Sequence, residues 1–450
     1  MIDTILVSAA PGETRIALLA GGHTIDVAHH RVGHEHLAGA VYSGRVTALA
    51  PGLNAAFVDI GDGPPGLLNA GDARTDPDAA VAPIGAYVHE GEAVVVQVRR
   101  DAMGDKGPRL TMRPALPGRY LVYQPGRDRV EISRRITEEA ARERLRRLVG
   151  DTAGVTVRTR AAKAEDQDIL AELAALRARW GGISASTTPA RVLAPPDPLE
   201  RALSENTGVS RVVVDTPALY AAARHHCEHG VLETWDEAEP LFDGFGVEAA
   251  LDAASETWFA LPSGGAVTIE QTAALCAIDV DSAGHGRGKT VALDVNLEAA
   301  QVIGRQLRLR GIGGIIVIDF ISLTRNAHGR QVIDALRAAL ADDRDAVAPG
   351  GFSKLGLVEM RRRRTRPSLA QVMGGGPPGG ALTVALAIAR HAAHQARSAA
   401  PGAIAIAAAA DVAEVLQSTL CELIAEATGR AVKVTAASAY GRAEHDVSFG

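Results

Sequence analysis

Hydrophobic and polar positions alternate with a period of two over "TILVSAAPGETRIALLA" near the start of the chain. The "APGE" in its middle supplies a turn, so this stretch predicts a strand pair. From about Gly39 the alternation returns in short pieces: "AVYSGRVTALAP", "NAAFVDIG", "GPPGLLNA", "EAVVVQVRRD" and "PRLTM". Five short strands separated by Gly and Pro turns predict a small β-barrel of OB type. "RYLVYQP", "RVEISRRI" and "GVTVRTRA" read as further strands, and "TEEAARERLRRLV" and "AKAEDQDILAELAALRARWGGI" as helices. The Pro-rich "ASTTPARVLAPPDP" reads as a linker closing this unit near residue 199. Beyond it, "VSRVVVDT" predicts a buried strand and "PALYAAARHHCEHG" a helix. After "GGGPPGG", a helix–strand–helix–strand order predicts a small α/β unit.

One stretch of the pattern carries candidate chemistry. Thr272 to Ser282 reads as a strand with Asp279 and Asp281 at i, i+2, hence on one face. "NLEAAQVIGRQLRLRG" reads as a helix with Asn296 as N-cap, Glu298 at its positive end and Gly311 as its stop. Leu297, Ala300, Ile303 and Leu307 form its apolar stripe. "GGIIVIDF" is a continuous apolar run ending in Asp319, the pattern of a strand covered on both faces. Strand, helix, strand makes a βαβ unit with parallel strands, so Asp279 and Asp319 fall at the same C-terminal edge. Neighbouring strands lie about 4.8 Å apart, so two carboxylates at one height can share a hard cation. Mg²⁺ suits such a pair, because it takes one or two carboxylates and fills its other positions with water and phosphate oxygens. The competing reading is that each Asp caps its strand or pairs with Arg305 or Arg308.

Composition narrows the class. The chain has 450 residues, 47% of them hydrophobic and 22% charged, with 47 glycines and 22 prolines; this describes a globular protein of two to four folding units. No apolar stretch approaches the roughly 20 residues of a membrane span, and the N-terminus lacks the basic head of a signal peptide. Cys227, Cys276 and Cys421 lie too far apart for a zinc ribbon or a disulfide framework. A cytoplasmic location is expected. The net charge of −6 gives no global attraction for nucleic acid, so any such binding must come from local patches. "SKLGLVEMRRRRTR", which includes Arg361 and Arg362, is one such patch, unless it is simply a solvated face. Tyr42 and Phe57 are candidate stacking platforms, with a place in the barrel core as the alternative. His225, His226, Cys227 and His229 make a weak metal set: only His225 and His229 share a helical face, and no second ligand pair is near.

"LPSGGAVTIEQTAALCAIDVDSAG", "NLEAAQVIGRQLRLRGIGGIIVIDF" and "KLGLVEMRRRRTRPSL" resemble the catalytic core of the bacterial ribonuclease E/G family of endoribonucleases. "VYSGRVTALAPGLNAAFVDIG" is similar to that family's S1 RNA-binding domain, and "ISRRI" with "GVTVRTRA" to its 5′-sensor. The resemblance implies an α/β and β multidomain chain. An RNase H-like domain (1–36 and 200–255) is split by an S1 domain of OB fold (37–112) and a 5′-sensor domain (113–199). A DNase I-like catalytic subdomain (256–372), a link (373–380) and a small C-terminal domain (381–450) follow. It further implies that Asp279 and Asp319 bind the catalytic Mg²⁺, for which Mn²⁺ can substitute. Phe57 and Lys106 would hold single-stranded RNA, and Val122, Arg158 and Thr159 a 5′-monophosphate.

Departures from the family pattern define the expectations further. Asp281 stands where the family has Asn, adding a carboxylate that modulates the metal. Ser322 replaces the second Asp of "DFID", and Leu67 replaces an S1 aromatic. The CPxC zinc link is absent, so no zinc is expected and a homo-oligomer, a dimer, would form by other contacts. The implied function is Mg²⁺-dependent cleavage of single-stranded RNA, in rRNA or tRNA processing or mRNA decay, stimulated by a 5′-monophosphate. The alternatives are, from a different class, a catalytically weakened RNA-binding protein of the same family and, third, a DNA nuclease.

Overall fold

A computed structural model describes all residues except 1, 35, 77, 103–105, 151, 207, 228–229, 283–290, 344 and 376–378. It is a mixed α/β chain whose strands fall into five separate sheets. Two compact units are present, Met1–His34 with Gly208–Gly450, and Glu35–Thr207.

In the Glu35–Thr207 unit, the alternating pieces form the strands Val41–Ala50, Ala55–Asp59, Gly66–Asn69, Ala93–Arg100 and Arg109–Thr111. The first of them pairs with both Ala55–Asp59 and Ala93–Arg100, which closes the sheet into a barrel. Inward side chains fill it, among them Tyr42, Val58, Leu68, Val96 and Leu110. A short strand, Ala190–Leu193, adds to the barrel's edge, so the Pro-rich stretch expected to be a linker is partly built into the sheet. A second sheet of Leu116–Pro117, Leu121–Tyr123, Val130–Ile132 and Val155–Val157 has the helices Glu139–Val149 and Asp166–Trp180 packed on it.

In the other unit, Thr4–Ala10 and Glu13–Ala20 form the expected hairpin, and His23–Arg31 extends it. Arg211–Val214 and Leu232–Thr234 join in parallel on the opposite side. The helix after Arg211–Val214 covers only Pro217–Ala223. The helical face proposed to unite His225 and His229 therefore does not form at His225, and His229 lies outside the described residues. The C-terminal part carries the expected elements and, beyond them, an antiparallel strand, His445–Phe449, on the edge of Ile404–Ala408. Among the described residues no helix is long and apolar enough to cross a membrane.

The sheet that carries the candidate chemistry has six strands, in the order Trp258–Ala260, Ala266–Gln271, Leu275–Asp281, Gly314–Asp319, Leu357–Arg362 and Ala346–Val347. Leu275–Asp281 and Gly314–Asp319 are parallel and adjacent, joined through the helix Val291–Leu309. That helix and Asn326–Ala339 cover the same face. Val295, Ala300, Ile303 and Leu307 from one, with Val332, Ile333 and Leu336 from the other, bury Ile278, Val280, Ile316 and Ile318. The opposite face is not covered as the unbroken "GGIIVID" run suggested: Ile315 is 55% exposed. An apolar run shows that side chains avoid water on average, not which face a helix will take.

Candidate active site

Each strand alternates, and that alternation sorts the carboxylates from the core. Cys276, Ile278 and Val280 point into the helices, while Asp279 and Asp281 emerge on the open face; Ile316 and Ile318 point inward and Asp319 outward. The parallel register aligns Asp279 directly with Asp319. Thr268 lies across from Asp279 on one side and Leu357 across from Asp319 on the other. Among the described residues no ion pair joins Asp279 or Asp319 to Arg305 or Arg308.

The electrostatics follow from this crowding. Burial, then the Asp281 charge and a hydrogen bond with Asp281, then the charge of Asp319, push the Asp279 carboxyl above its ordinary value. Such a cluster asks for a proton or a cation. Among the described residues no group of three or more His, Cys, Asp or Glu side chains is placed to hold a metal ion. Two carboxylates completed by water, rather than a cage of protein ligands, are a donor set that a hard divalent ion accepts.

The helix Val291–Leu309 begins five residues before Asn296, which is thus inside it and not its cap. Asn296 is fully buried; its Nδ2 donates to the carbonyl of Ile321 at 2.8 Å, and the Ile321 N–H donates back to its Oδ1 at 3.0 Å. Residues close to the Asp279–Asp319 edge are fitted tightly too. A Cβ on Gly265 would lie 2.4 Å from Val295 and 2.9 Å from the Asp281 carbonyl. Ser322 is exposed just beyond Ile321.

The basic run divides by strand alternation. Arg361 is exposed on the open face, in register with Ile315, about 13 Å along the strand from Asp319. Arg362, expected to hold RNA, instead points inward: its Nε donates to Asp343 at 2.7 Å and its Nη1 to the Ile312 carbonyl at 2.8 Å, both within the core. A buried, paired guanidinium cannot reach a nucleic acid.

On the barrel, Phe57 is 37% exposed, whereas Tyr42 is fully buried with its hydroxyl donating to Asp62 at 2.9 Å. Tyr42 is therefore a core residue and not a stacking platform. Phe57 pairs across strands with Leu67, which pairs with Arg109. Arg109 is exposed, and Lys106 is exposed nearby in sequence. The sequence pattern does not single out Arg109, because only the strand register places it beside Leu67. In the second sheet, Thr159 and Ser133 hydroxyls lie 3.0 Å apart. The two terminal nitrogens of Arg158 donate to the carbonyls of Gly118 and Ser204, the former at 2.6 Å. Val122 is half-buried on Leu121–Tyr123.

Residues 115–365 match the model of the Ribonuclease E/G family. The chain is 34% identical to Ribonuclease G of Escherichia coli K12 over 401 residues, covering 83% of this chain and 82% of that protein. It is 33% identical to Ribonuclease G of Haemophilus influenzae, covering 82% and 81%. To Ribonuclease E of Escherichia coli K12 it is 33% identical over 80% of this chain and 36% of that protein.

Proposed function

Because the chain belongs to the ribonuclease E/G family, we propose that it is an endoribonuclease that hydrolyses phosphodiester bonds in single-stranded RNA and uses Mg²⁺ held by Asp279 and Asp319. The observation that carries this reading is the alignment of those two residues at the ends of adjacent parallel strands, on the uncovered face of the sheet. A divalent cation held there by Asp279 and Asp319 would supply Lewis-acid polarisation of the phosphodiester and lower the pKa of bound water; the expected product carries a 5′-phosphate on its downstream fragment. Asp279 and Asp319 position the ion from two backbone-fixed strands, and the Asn296 clamp fixes the chain that leaves Asp319.

On the barrel, Phe57 stacks a base and Lys106 and Arg109 hold phosphates; on the six-stranded sheet, Arg361 holds a phosphate. Val122, Arg158 and Thr159 form the pocket for a 5′-monophosphate. Arg158 would exchange its carbonyl partners for the phosphate, a stronger acceptor for a guanidinium fork. In this reading the barrel is an S1 domain, the following sheet the 5′-sensor, and the six-stranded sheet a DNase I-like subdomain. The substrates are precursors of rRNA or tRNA, or mRNA.

A second reading draws on Asp281. Its hydrogen bond to Asp279 favours a proton over a cation, which supports an RNA-binding protein of reduced catalytic power. Incubation of a 5′-monophosphorylated A/U-rich oligoribonucleotide with Mg²⁺ separates the two. Cleavage that Asp279→Asn abolishes supports the enzyme; tight binding without turnover, recovered by Asp281→Asn, supports the second reading.

A further inference from the structure

Away from the carboxylates, the Glu35–Thr207 unit contains a cavity of about 610 Å³. It lies between Ala93–Arg100, the segment Thr111–Ala115, the loop Gln124–Arg127 and Trp180 at the end of its helix. Arg99, Arg113 and Arg127 are among its lining residues, and no carboxylate is. Arg113 stands within electrostatic reach of Arg74, Arg99, Arg127 and Asp72, and Arg127 pairs with Glu131 at 2.7 Å. The Asp72 carboxylate is shared, with Arg99 Nη1 at 2.5 Å and Arg113 Nη2 at 3.5 Å. Two guanidinium nitrogens, Arg113 Nη1 and Arg127 Nε, are buried with no hydrogen-bond partner among the described residues. Unmet buried donors of this kind are rare, and an anionic acceptor satisfies them. Trp180, Met112, Pro114 and Pro125 form the apolar part of its lining, beside the polar Gln97 and Thr111.

Guanidinium donors facing an aromatic wall match a phosphate ester that carries a planar ring. We infer that this cavity binds one nucleotide of a single-stranded RNA, with its phosphodiester at Arg113 and Arg127 and its base against Trp180. The cavity would be a subsite distinct from Phe57 and from the Arg158–Thr159 pair. An RNA chain fits better than a free nucleotide because the arginines continue outward along the barrel at Arg99 and Arg109, as a track for successive phosphates. The inference rests on the reading that this protein acts on RNA.

The test uses the full chain and a fluorescent 5′-hydroxyl, A/U-rich 12-mer oligoribonucleotide in chelator, so that neither cleavage nor a 5′-phosphate contributes. Arg113→Met removes one charge. Gln124→Glu places a carboxylate at the cavity while keeping the acceptor that Arg127 Nη1 meets at 2.7 Å, so it retains the local fold and decides the matter should the first variant not fold. Each is expected to weaken oligonucleotide binding about tenfold, and Arg113→Met to make the log–log salt slope shallower by about 0.7. Adenosine monophosphate, followed by tryptophan fluorescence, is the second arm. Unchanged oligonucleotide affinity in both variants overturns the subsite, whether the monophosphate binds there or not. In that case cleavage by the variants leaves the RNA reading standing, whereas no oligonucleotide binding by the wild type removes both.

Discussion

The side-chain amide of Asn296 and the backbone of Ile321 exchange two hydrogen bonds, at 2.8 and 3.0 Å, within the core. Helix and strand end are thereby fixed to each other two residues beyond Asp319. Asn296→Ala leaves the Ile321 N–H and carbonyl unmet and should cost about 1–3 kcal/mol of stability. It should lower RNA cleavage more than RNA binding. Urea unfolding and parallel binding and cleavage assays check this.

Adjacent arginines should behave oppositely. Arg361→Ala, on the open face, is expected to leave the melting temperature unchanged and to weaken RNA binding, with a salt slope shallower by about 0.7. Arg362→Ala strands Asp343 in the core and should cost about 3–5 kcal/mol. A thermal melt and a fluorescence titration at several salt concentrations distinguish the two.

The barrel aromatics should divide in the same way. Phe57→Ala is expected to cost about 1–3 kcal/mol of RNA affinity, while Tyr42→Phe, which loses the hydroxyl's bond to Asp62, should leave that affinity unchanged. Equal losses of RNA affinity in both variants would show that Tyr42 reaches RNA after all.

Glu13 lies fully inside the hairpin sheet. Burial by itself would raise its carboxyl pKa, but the hydrogen bond from His29 and the charges of Arg390, His29 and Arg31 prevail and hold it far below the usual range. Its contribution is therefore present above the unfolded value near 4.5 and is lost as pH falls below it. Arg31 donates to it at 2.7 Å, and Arg390, from the C-terminal helix Ala381–Ala396, donates as well. Glu13→Gln should cost about 3–5 kcal/mol at pH 7 and flatten the loss of stability in acid. Denaturant titrations from pH 3 to 7 measure both effects.

Much of this architecture is legible in the sequence because alternation and turn residues encode it locally: the barrel strands, the hairpin and the βαβ unit around Asp279 and Asp319 all sit where the pattern places them. What the pattern cannot encode is the direction of a side chain relative to neighbours far away in sequence. Tyr42 and Phe57 both sit on barrel strands, and only the closure of the sheet makes one core and the other surface. Four consecutive arginines look like one patch until a strand turns Arg362 inward toward Asp343. Asn296 has the composition of a cap, yet the helix starts upstream of it, and the bond to Ile321 that holds it is a tertiary one. Similarly, the cavity near Trp180 gathers Arg99, Arg113 and Arg127 from separate segments, none of which carries a motif.

The most direct measurement concerns the register of Asp279 with Asp319. Anomalous diffraction from crystals soaked in Mn²⁺, for the wild type and Asp279→Asn, locates any bound ion. The expected result is a single peak within about 2.0–2.3 Å of carboxylate oxygens from both residues, absent in the variant. A wild-type map without that peak, with the two carboxylates turned away from each other, would contradict the assignment of a metal-dependent nuclease site here.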